Sequence, residues 1–152
     1  MRKIAITLLF LTVTAISAHE FWLEPQHFHL RKGETLTLKF LVGEDFDGQN
    51  WTGNRASVEQ LKLFYNGIQD DLRPLVPDSL IGDSLKLQFF DEGTALIAYQ
   101  SANKSITLDS GKFLEYLKED GLTNAIQYRE EHLETDSSGR ELYQRCAKTI
   151  FQ

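Results

Sequence analysis

The chain is poor in cysteine, proline and methionine. Its 152 residues hold one cysteine, Cys146, three prolines and one methionine. A single cysteine excludes an intramolecular disulfide and any zinc or iron–sulfur site built from several thiolates. Scarce proline beside 11% aromatics is not the composition of a disordered tail. Basic residues are outnumbered, 16 Lys and Arg against 22 Asp and Glu for a net charge of -6, so no positive field is available to grip a phosphate backbone and nucleic acid is not an expected partner. Gly-x-Ser-x-Gly, a phosphate loop and His-Glu-x-x-His are all missing, so the familiar hydrolase and nucleotide signatures are absent and no enzymatic activity is expected. The length suits one domain.

What is present begins with an export signal. Arg2 and Lys3 form a short positive region, and Ile4 to Ile16 is apolar except for Thr7, Thr12 and Thr14. A bilayer span needs about 20 apolar residues, and this run meets His19 and Glu20 too early for that. Residues 1–18 are therefore expected to be a signal peptide, cut between the small Ala18 and His19. The remainder, 19–152, is expected to be one β-rich domain, periplasmic or secreted, with no membrane span. No cysteine near the cut offers a lipid attachment point, and loss of Arg2 and Lys3 leaves the exported chain more acidic.

The exported chain reads as strands first and helix second. In Thr35–Val42, Leu36, Leu38, Phe40 and Val42 alternate with Thr35, Thr37 and Lys39, the period of two of a half-buried strand. Similar alternation recurs in Val58–Tyr65, Leu85–Phe89 and Thr94–Tyr99, with a short further strand at Ser105–Leu108 and turn signals at Asn66-Gly67 and Asp91-Glu92-Gly93. Phe113, Leu114, Tyr116 and Leu117 then recur at helical spacing, with Asp109 or Ser110 as cap and Gly121 as terminator. A second helix is expected through Ala125, Ile126 and Tyr128; Arg140–Gln152 is extended or weakly helical. The expected fold is mainly β, an antiparallel β-sandwich (immunoglobulin-like) with a short helical segment near the C-terminus.

Three blocks carry a family resemblance. Ala18, His19, Phe21, Trp22, Leu23 and Pro25 match an Ala-His-x-Phe-Trp-Leu-x-Pro signature; Phe113–Leu122 forms a second block, and Arg140, Glu141, Tyr143, Arg145, Lys148 and Thr149 a third. Together they resemble the amino-terminal half of the NikM-like periplasmic family, a domain family of unknown function grouped with nickel uptake proteins. The resemblance implies an envelope location, a transition metal, nickel above all, and a membrane transporter or envelope protein as partner. Members of that family continue into a second β-rich half, so the chain is expected to be truncated at its carboxyl end.

The residues themselves offer one constellation with ligand character, His19, His27 and His29. A terminal His19 presents its amine and ring Nδ1 together as a chelate. One imidazole more, from His27 or His29, makes a three-nitrogen planar site suited to copper or nickel rather than tetrahedral zinc. In a strand, His27 and His29 would share one face, and Glu20 or Glu24 would add an oxygen or orient a ring. The plain alternative is a strand whose polar face carries two histidines with Phe28 turned inward. Phe21, Trp22 and Leu23 read as core anchors, His132 as a solvated helix residue and Cys146 as a small buried one. Glu44 to Gly48 reads as a solvated loop, since the ligands of a calcium loop are missing. The expected function is a non-enzymatic binding protein for a nickel or copper ion. The competing class is a metal-free interaction module that binds an envelope protein or polymer; a copper enzyme built on the terminal histidine ranks third.

Overall fold

The computed structural model describes residues 20–79 and 84–152; the expected signal peptide, 1–18, and His19 lie outside the described residues. The chain forms two antiparallel sheets that share one core. In the first, β1 (Glu20–Pro25) pairs along its whole length with β2 (Thr35–Glu44). The other edge of β2 is divided between two strands: β3 (Asp47–Asn50) pairs with its second half, and β6 (Leu85–Gln88) with its first. The second sheet has the order β10-β7-β4-β5, from Cys146–Phe151, Ala95–Ser101, Val58–Tyr65 and Ile68–Asp71.

The period of two decides what faces inward. Leu36, Leu38 and Phe40 of β2 are buried, as are Leu61 and Leu63 of β4 and Ala95, Ile97 and Tyr99 of β7. Each large apolar side chain removed from water contributes about 1.5–3 kcal/mol, so these rows are what holds the two layers together. The hairpin between β4 and β5 turns on Asn66 and Gly67, both at positive φ (49° and 77°), the conformation a tight two-residue hairpin needs. Gln152 accepts from Leu30 N–H and donates its own N–H to Phe28, at 2.7 and 2.9 Å, which ties the end of β10 to the segment after β1.

Residues 102–145 leave this frame as an arm. The arm consists of β8 (Lys104–Leu108), α1 (Ser110–Glu119), α2 (Thr123–Glu131) and β9 (Gly139–Tyr143), with β8 and β9 paired as a separate ribbon. Asp109 caps α1 by accepting from Lys112 N–H at 3.0 Å, and Gly121 follows the helix at φ 66°. Leu117 is buried, Phe113 packs on Gly139, and Arg129 lies over the Phe113 ring at 4.9 Å. The arm's two feet are stapled: Ser101 N–H donates to Arg145 O at 2.8 Å, and Arg145 N–H to Ser101 Oγ at 2.9 Å.

The mainly β antiparallel sandwich, with both described α-helices in the C-terminal half, is the expected class. Three local expectations fail. His27–His29 is not in a strand: β1 ends at Pro25, Gln26 makes the last ladder bond to Thr37 O, and Phe28 is 56% exposed rather than inward. The segment after Glu44 is a turn into β3 rather than a free loop. Cys146 is exposed, because Ala147, Thr149 and Phe151 take the inward side of β10 and leave Cys146, Lys148 and Ile150 outside.

Candidate functional site

His27 and His29 lie in the loop between β1 and β2. Both are exposed, and they line one shallow depression together with Arg31, Lys32 and Glu34. Arg31 N–H donates to the Glu34 carboxylate at 2.9 Å, closing a tight turn that Gly33 completes at φ 78°. The two cations beside the rings oppose a divalent ion on Coulomb grounds. Among the described residues, no group of three His, Cys, Asp or Glu side chains is placed to hold a metal.

The residue next to His19 is at the other end of the sheet. Glu20 pairs with Gly43, whereas the ladder ends at Gln26 beside Thr37. Six steps of about 3.3 Å separate Glu20 from Gln26 by about 20 Å, so β1 holds the start of the domain apart from the His27–His29 pair. Glu20, and not His27 or His29, therefore stands at the hairpin end of β1.

What stands beside Glu20 is an acidic hairpin. Glu44 and Asp47 are the last pair of the β2–β3 ladder, and Asp45 and Phe46 make the turn at φ 51° and 61°. Trp22 fixes the hairpin against β1: its ring meets Phe46 edge-on at 5.8 Å, and a Cβ on Gly48 would fall 2.4 Å from Trp22 Cη2. Trp22 Nε1–H donates to Glu24 at 3.3 Å. Phe21, on the opposite face of β1, stacks on Tyr99 at 4.4 Å and meets Trp51 edge-on at 5.8 Å, which confirms its place as a core anchor.

The same end of the molecule carries a cleft of about 530 Å³ between the hairpin and the feet of the arm. Gly43, Asp47, Gln49 and Asn50 form one side, Trp51 the wall, and Lys104 and Arg145 the other side. Both cations are half-buried, and neither makes an ion pair with a described carboxylate. Behind Trp51 sits Tyr99, 3% exposed, whose hydroxyl has no hydrogen-bond partner among the described residues. Burial pushes that hydroxyl well above the usual tyrosine range, against the opposing pull of the nearby Arg145 charge. Reading the sequence alone misses this cleft. Its residues come from β2, β3, the segment after β3 and both ends of the arm, and no local spacing links them. The one signal available is Trp51, a lone aromatic in an otherwise polar stretch.

The remaining candidates are ordinary. His132 follows α2 and is exposed; its ring stacks on Tyr128 at 3.9 Å, and Nδ1 lies 2.7 Å from Tyr128 O. No described helix is long and apolar enough to cross a membrane.

The sandwich, its stapled arm and a polar cleft at one end define a mainly β domain. Residues 16–152 match the family described as Domain of unknown function (DUF4198), and the chain belongs to that family. No curated protein and no solved structure matches it.

Proposed function

We propose that this chain is an exported, non-catalytic binding protein that holds a nickel or copper ion at the start of β1 and passes it to an envelope partner such as a transporter. The processed domain begins at His19, and the amine and imidazole of that residue are the primary ligands. The observation that carries the reading is the pairing of Glu20 with Gly43, one residue before the acidic turn at Glu44–Asp47. An amino terminus there would sit on a fixed strand end beside carboxylates, which attract a cation and supply oxygen ligands. Nickel is favoured by the NikM-like resemblance, copper by the nitrogen-rich chelate. His27 and His29 remain candidates for a second, weaker site, since the ring pair is accessible but shares its depression with Arg31 and Lys32.

The test is the exported protein itself, carrying any tag at its carboxyl end. Intact mass should begin at His19, and metal analysis should find one tightly held copper or nickel equivalent after incubation with the ion. Retention of residues 1–18 in a membrane fraction would overturn the reading, because no free histidine amine would exist. A metal-free interaction module is the second reading. It is favoured by apolar side chains left open on the arm, Leu133 at 92% and Leu142 at 73% exposed.

A further inference from the structure

We propose that the cleft between the β2–β3 hairpin and the feet of the arm is a binding site for a small anion, a carboxylate- or phosphate-bearing molecule recognised by Lys104 and Arg145. This goes beyond the metal reading and does not depend on it. Here two cations stand half-buried in one cleft, and neither forms an ion pair among the described residues. Two like charges lining one cleft and partly out of water repel each other, and an anion between them relieves that repulsion.

The fold holds them there deliberately. Lys104 opens β8 and pairs with Tyr143 of β9, while Arg145 is fixed through its backbone to Ser101, so each foot of the arm contributes one cation. Arg145 also lies over the Tyr143 ring at 5.9 Å, which directs a planar guanidinium suited to two-point contact with a carboxylate or phosphate. Gln49 offers a donor and Trp51 a flat wall. Asp47 also lines the cleft, so a ligand carrying a positive group beside its acid would be accommodated.

The experiment uses exported, chelator-stripped protein, so that a metal cannot bridge the anion. Inorganic phosphate and succinate are titrated separately by calorimetry, with tryptophan emission of Trp22 and Trp51 as a second readout. At least one should bind saturably with a Kd below about 1 mM. Arg145→Gln should weaken that binding by about tenfold or more, and Lys104→Gln should weaken it in the same direction. Thermal melting of both variants checks that the domain is folded. If Arg145→Gln does not fold, Lys104→Gln decides alone. Preference for phosphate identifies a phosphoryl ligand, and preference for succinate a carboxylate one. Absence of saturable binding by either anion, or equal binding in the native protein and the folded variants, would overturn the proposal.

Discussion

At the residue scale, Tyr99 and Trp22 show how much depends on single side chains near the start of β1. Tyr99 is surrounded by Phe21, Phe40 and Trp51, with ring centroids 4.4, 6.0 and 5.8 Å away. Its ring fills the core while its hydroxyl finds no described partner. Tyr99→Phe keeps the ring and removes the orphan, so in protein free of small anions it should raise stability by about 1 kcal/mol in urea unfolding. A loss of similar size would mean that the hydroxyl is satisfied in the folded protein. Trp22 acts differently, by packing over Gly48 where even a methyl group would collide. That contact sets the angle of the acidic hairpin against β1, and with it the surroundings of the proposed ligand His19.

At the element scale, the arm has its own small core and its own response to pH. Burial, followed by the hydrogen bond and charge of Glu141, pushes the Tyr116 hydroxyl up to about 12 from its ordinary 10.0. The folded chain thus holds this proton more tightly than the unfolded one. The contribution is complete below pH 10 and is lost as pH rises from 10 through 12. Melting temperature should fall over that window, and Tyr116→Phe, which has no proton to lose, should show a shallower fall. Identical alkaline profiles would place Tyr116 outside the cooperative unit. Elements of this kind were legible where one face is buried: β2, β4, β6 and β7 announce themselves by alternation, and α1 by Asp109, its helical spacing and Gly121. Strands β3 and β5 were not, because all their residues are exposed and only the backbone ladder to β2 and β4 defines them. His27-Phe28-His29 misleads for the opposite reason. Its alternation imitates a strand, but Pro25 and the turn at Arg31–Glu34 take the chain out of the sheet first.

At the scale of the whole molecule, the sandwich separates the two ends of β1 and gathers the cleft. Sequence places His19 and His27 eight residues apart and invites a single metal site. Pairing β1 with β2 sets Glu20 and the His27–His29 loop at opposite ends of a sheet. Conversely, Gly43, Trp51, Lys104 and Arg145 are far apart in sequence and meet only because β2, β3 and the feet of the arm share one end of the fold. For the cleft, proximity in sequence was therefore a poor guide, whereas the proposed terminal site rests on the chemistry of an amino-terminal histidine alone. The central claim is metal binding through that terminus. Its most direct test compares Cu(II) and Ni(II) affinity of the exported protein with that of a version carrying one extra residue ahead of His19. The account predicts a loss of at least about tenfold on extension, about 1.4 kcal/mol, while His27→Ala and His29→Ala leave the tight site unchanged. Binding should also weaken on acidification, since amine and imidazole must shed protons to bind. Equal affinity in the native and extended proteins, or loss of the tight site on substituting His27 or His29, would contradict it.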